Sequence, residues 1–135
     1  MLKKIDHIGL AVTDLNKMIS VYEKMGFRYL GQETVAEQKV ITAFFEIGDC
    51  RLELLSATDP TSPIAKFIEK NSGFGGIQHL AIQVEHLEKA IQEMKEKGFQ
   101  MIDEVPRVGA HQNRIAFMHP KSTGGILLEL CQHVV

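Results

Sequence analysis

The feature that most restricts this chain is an internal repeat. Ile5 to Leu30 lies over Ile77 to Ile102 without a gap, and eight of the twenty-six aligned pairs are identical: Ile5/Ile77, His7/His79, Val12/Val84, Leu15/Leu87, Lys17/Lys89, Ile19/Ile91, Gly26/Gly98 and Phe27/Phe99. Shared strand-then-helix periodicity accounts for the aliphatic matches. It does not account for a histidine and a Gly-Phe pair held in one frame. The second part of each half continues the pattern. Phe45 falls over Phe117 at the same offset, and the Leu-Glu-Leu of Leu52 to Leu54 returns at Leu128 to Leu130 after a four-residue lengthening.

The same order of elements is read in both halves. Ile5 to Val12 alternates aliphatic residues as a strand does. Asp14 is placed to cap a helix, Leu15, Met18, Ile19 and Tyr22 recur at helical spacing, and Gly26 stops it. Phe27 to Gln32, Lys39 to Ile47 and Cys50 to Leu55 then read as strands. In the second half the strand is Ile77 to Val84, the helical stripe is Leu87, Ala90, Ile91 and Met94, and Phe99 to Asp103, Arg114 to Met118 and Ile126 to Cys131 are the remaining strands. The predicted fold is α+β: two tandem βαβββ modules, residues 1–60 and 76–135, forming a curled eight-stranded mixed sheet around a metal cleft within one domain. Ser62 followed by Pro63 announces a linker helix over 62–71.

Charge and composition exclude several classes of function. Fifteen Lys and Arg against seventeen Asp and Glu leave a formal charge of −2, so no broad positive field exists for nucleic acid or acidic lipid. No apolar run reaches the length of a membrane span. Met1 to Val12 reads as a first strand and not a signal peptide. Cys50 and Cys131 are too few for a disulfide framework and are read as reduced, which favours the cytoplasm.

Four polar residues stand on otherwise apolar strands. His7 and His79 are equivalent under the repeat, as are Glu53 and Glu129, each flanked by leucines. A carboxylate directed into a sheet-lined cavity is costly unless paired or coordinated. Two imidazoles and two carboxylates form a mixed nitrogen and oxygen set suited to a catalytic divalent ion, with positions left open for substrate oxygens. Cys131 shares the strand face of Glu129 but is read as a buried apolar cysteine, because it has no duplicated partner. His86, His119 and His133 are read as exposed or locally bonded. His111 lies in the polar loop Val108 to Asn113 and is a better cleft candidate.

Near its full length the chain resembles the methylmalonyl-CoA epimerases of the vicinal-oxygen-chelate superfamily. The resemblance rests on IDHIGLAV, the linker TSPIAKFIEKNSG, GGIQHLAIQV and the run NRIAFMHPKSTGGILLEL. It implies His7, Glu53, His79 and Glu129 as ligands of one divalent ion per chain, Co2+ favoured, with Mn2+ or another divalent ion as alternatives. It also implies a homodimer and interconversion of (R)- and (S)-methylmalonyl-CoA through an enolate, with Glu129 as both ligand and catalytic base. Gln38, His111, Asn113, Arg114, Lys121 and Ser122 are the candidate substrate contacts. Where some members carry a second basic Glu, this chain has Thr42, a poor base at neutral pH; a water relay or Glu37 is the alternative. The rival readings are a glyoxalase I-type lactoylglutathione lyase, a ferrous dioxygenase and a metal-free ligand-binding protein.

Overall fold

The computed structural model describes residues 1–134 and has eight strands and three α-helices among them. The strands are β1 (Leu2–Ala11), β2 (Arg28–Val35), β3 (Val40–Ile47), β4 (Cys50–Ala57), β5 (Gly76–Val84), β6 (Arg107–Val108), β7 (Arg114–Met118) and β8 (Leu128–Gln132). The helices are α1 (Leu15–Met25), α2 (Pro63–Lys70) and α3 (Leu87–Glu96). Packing divides the chain into two units, one spanning His7–Gln78 and the other combining Met1–Asp6 with the residues from His79 onward. The division runs through β1 and β5, so the first residues of each group with the opposite unit.

In the first unit the strand order is β2-β3-β4-β1, with β1 parallel to β4 and the other pairs antiparallel. Asp14 Oδ1 accepts from Lys17 N at 3.1 Å and caps α1, while Gly26 ends it at φ 106°, a left-handed conformation that costs a side-chain-bearing residue strain. One face of the sheet packs on α1 through Ala43, Phe45, Leu52 and Leu54, together with Val12, Leu15 and Ile19. Phe45 is the hub, its ring centroid 5.4 Å from Tyr29, 6.0 Å from Tyr22 and 6.2 Å from Phe27. The linker helix α2 also belongs here, packed on β4 and capped by Ser62, whose Oγ accepts from Ile64 N at 3.1 Å.

After α2, Asn71 Nδ2 donates to the carbonyls of Phe74 and Gly75 at 3.1 and 2.9 Å and closes the turn. A Cβ at Gly75 would lie 2.1 Å from the Ala11 carbonyl oxygen, well inside contact distance and against backbone that cannot swing aside. Gly75→Ala is therefore expected to cost about 1–3 kcal/mol. A lower urea midpoint at unchanged slope is the expected reading, and an unshifted midpoint would remove the steric account.

In the second unit the order is β5-β8-β7-β6, with β5 parallel to β8. Leu87, Ala90 and Ile91 of α3 pack on Ala116, Met118 and Leu130, as the helical stripe predicts.

Two expectations are corrected. Phe99 to Asp103 is not a strand; only Met101 bridges to Met118, and the short edge strand comes later, at Arg107–Val108. The cause is a side chain. Asp103 Oδ2 accepts from Phe117 N at 2.9 Å, taking the donor that a neighbouring strand would have used, and the N–H groups of Ile102 and Asp103 converge on one Phe117 carbonyl. The second correction is one of register. Phe44 stands opposite Glu53 and Phe117 opposite Glu129, so the counterpart of Phe117 is Phe44 and not Phe45.

Candidate metal and active site

Strand register alone places the four polar residues. Glu53 is the Cα partner of Gly9 across the parallel β1/β4 pair, and Glu129 is the partner of Ala81 across β5/β8. His7 and His79 each precede that partner by two residues. In each unit, then, imidazole and carboxylate project from the same sheet face, one step apart along the strands.

The side chains meet accordingly. His7 Nδ1 lies 3.3 Å from Glu53 Oε2, and His79 Nε2 lies 3.5 Å from Glu129 Oε1. All four residues are buried at 3–5% exposure, deep enough that a charge without a partner would be expensive. Two donors each at about 2.0–2.2 Å from one ion would stand roughly 3–3.5 Å apart in octahedral or tetrahedral geometry, so both pairs have a spacing that fits shared coordination. Hard and borderline donors of this kind fit a divalent first-row metal.

The two pairs differ in their surroundings. Arg51 Nη2 donates to Glu53 Oε2 at 3.0 Å, and its guanidinium lies 5.8 Å from the centroid of the Phe44 ring. Leu127 takes the place of Arg51 two residues before Glu129. The cation near the second pair comes instead from β6, where Arg107 lies 5.2 Å from the centroid of Phe117 and donates through Nε to Asp103 at 3.1 Å. Phe117 in turn meets His79 edge-on, with centroids 5.9 Å apart. Arg51 and Arg107 were missed by sequence reasoning. They sit at non-equivalent positions of the two modules, so the repeat carries no signal for either.

The remaining candidates scatter. Arg114 shares a face with Ala116 and Met118, opposite to that of Phe117, and both its terminal nitrogens hydrogen-bond to the Glu88 carboxylate at the start of α3. That hydrogen bond holds the Glu88 carboxyl below its ordinary range and raises the Arg114 guanidinium. Arg114 is thus turned away from the face that carries Glu129. Asn113 is buried, and its Oδ1 accepts from Val134 N at 3.1 Å. His111 is exposed in a 3-10 turn at φ 56°. Ser122 Oγ accepts from Gln100 N at 2.8 Å, and Lys121 is exposed beside it. Gln38 is half-buried in the turn between β2 and β3, and Glu37 next to it is exposed. Thr42 is buried on the Glu53 face of the first unit, opposite Leu55 and one step from Phe44.

Residues 6–117 match the model of the Glyoxalase/Bleomycin resistance protein/Dioxygenase superfamily. The Ethylmalonyl-CoA/methylmalonyl-CoA epimerase of Cereibacter sphaeroides is 35% identical, with 98% of this chain and 99% of the relative covered. The chain belongs to this superfamily and, within it, to the methylmalonyl-CoA epimerase family. The mitochondrial methylmalonyl-CoA epimerase of Homo sapiens is 34% identical over 97% of this chain and 74% of its own length. A variant of Streptomyces coelicolor methylmalonyl-CoA epimerase in complex with 2-nitronate-propionyl-CoA superposes with a TM-score of 0.94, at 32% identity and with both chains fully covered. The chain is an α+β protein, and no helix among its described residues is long and apolar enough to cross a membrane.

Proposed function

We propose that the protein interconverts (R)- and (S)-methylmalonyl-CoA by removing and returning the C2 proton, with His7, Glu53, His79 and Glu129 jointly holding one divalent ion. The observation that carries this reading is the duplicated strand register, which gives each unit one buried imidazole and one buried carboxylate at coordinating distance on the same face. Similarity to epimerases over almost the whole chain supports the choice of substrate.

A divalent ion held there supplies Lewis-acid stabilisation of the negative charge that grows on the thioester oxygen as the proton leaves. The protein's own groups do the rest. Glu129 takes the proton; the place that Arg51 fills beside Glu53 is held there by apolar Leu127. Glu53 is the fixed partner, one oxygen already accepting from Arg51. The Thr42 hydroxyl is too weak a base to act alone and serves to hold a water that gives a proton to C2 on the other face; the hydroxide left takes a proton from solvent, and Glu129 releases its own to solvent. Arg107, over the ring of Phe117, whose cross-strand partner is Glu129, suits the anionic carboxylate of the substrate better than Arg114 does. We favour Co2+ over Mn2+ as the ion, a homodimer as the assembly and the cytoplasm as the location.

The test is deuterium incorporation at C2 of stereochemically defined methylmalonyl-CoA in heavy water, followed together with R/S conversion. Cobalt-loaded protein is expected to show both and chelator-treated protein neither, with recovery on adding the ion back. Absence of conversion in protein shown to hold the metal would reject the assignment.

A further inference from the structure

Beyond the four residues assigned above, the unit built from Met1–Asp6 and the residues from His79 onward contains a second group of potential ligands, Asp6, Cys131 and His133. We infer that these three form a separate thiolate-containing site for a soft or borderline divalent ion such as zinc. The inference is independent of the epimerase reading and survives its failure.

One ligand atom from each of the three side chains lies within 4.8 Å of the others. Cys131 lies on β8, and His133 follows directly after the last residue of that strand, Gln132. Asp6 comes from β1, 127 positions away, and its Oδ1 is 2.5 Å from His133 Nε2. The thiol and the carboxylate are both buried, Cys131 against Ile115 and Phe117, while the imidazole is 37% exposed. A carboxylate, a thiolate and an imidazole are three of the donor types zinc accepts, and the two anionic donors match the charge of a divalent ion. Its neighbouring set of two imidazoles and two carboxylates has no sulfur, so the two sites differ in the metals they select.

Access and adjustment are both available. His133 lines an open depression of about 390 Å³ together with Lys3, Glu85, His86 and Gln132, which gives an ion a route in and leaves room for a water as the fourth ligand. Tetrahedral donors stand roughly 3.3 Å apart at zinc bond lengths, so Asp6 and His133 must separate slightly on binding. The half-exposed imidazole can make that movement. The backbone next to it stays fixed, because Val134 N donates to the buried Asn113 side chain.

Cobalt is the probe, since a cobalt–thiolate bond gives a near-ultraviolet charge-transfer band that nitrogen and oxygen ligands do not. Titration of metal-free protein with Co2+, which also fills the four-residue set, is expected to complete this band by two equivalents per chain and to lose it on adding Zn2+. C131S is expected to abolish the band, H133A to weaken the affinity behind it at least tenfold, and C50S to leave it intact. The variant at the exposed His133 decides the matter even if C131S folds poorly. A wild-type protein saturated with cobalt that shows no band, a band that persists in C131S, or one unmoved by H133A would each overturn the site.

Discussion

Glu129→Gln is expected to lower the rate of C2 proton exchange by roughly 10²–10⁴-fold, the range associated with loss of a positioned general base. Glutamine keeps the shape and one coordinating oxygen, so metal affinity should fall far less than turnover. That separation is what distinguishes a base from a mere ligand. His7→Ala provides the contrast: loss of an imidazole donor should lower metal content and activity together, and excess cobalt should restore part of the rate. Elemental analysis beside single-turnover exchange checks both variants. Glu129→Gln with near-normal exchange at full metal occupancy would remove the residue from the proton path and leave Glu53 as the carboxylate to test.

Phe45→Ala is expected to destabilise the protein by about 3–5 kcal/mol, at the high end for a single core truncation. The ring has no exposed surface and sits among Tyr22, Phe27 and Tyr29, so its removal leaves a cavity walled by rigid aromatic side chains that collapse poorly. The same variant, kept cold and folded, should bind metal normally, because Phe45 faces α1 while Phe44 faces Glu53. Urea unfolding followed by circular dichroism gives the stability. A loss below 1 kcal/mol would mean that the aromatic cluster is not the keystone of its module.

What the sequence made legible follows from duplication. His7, His79, Glu53 and Glu129 were readable because each has a partner under the repeat, and a polar residue on an apolar strand becomes informative once it occurs twice in register. Arg51 and Arg107 occupy unrelated positions and do similar work on Phe44 and Phe117, so no repeat could expose them. The Asp6–His133 pair was hidden for another reason: nothing in local periodicity links residues 127 positions apart, and a histidine after the last strand reads as a solvated end. The misplaced sixth strand came from Asp103, whose side chain takes a backbone donor that strand patterning assigns to a neighbouring backbone carbonyl. The Phe45/Phe117 alignment slipped by one residue, and in a strand one residue is the difference between the helix side and the ligand side.

The division of packing through β1 and β5 has a consequence for how the chain is made. The unit spanning His7–Gln78 is continuous in sequence, so all its contacts are available once that stretch has left the ribosome. The other unit must wait. Its residues before His7 are made early, yet Asp6 finds His133 only when the residue after β8 is released, more than a hundred residues later. Vectorial synthesis therefore imposes an order on two modules of common pattern, with the earlier one able to fold during translation and the later one completed by closing a very long loop.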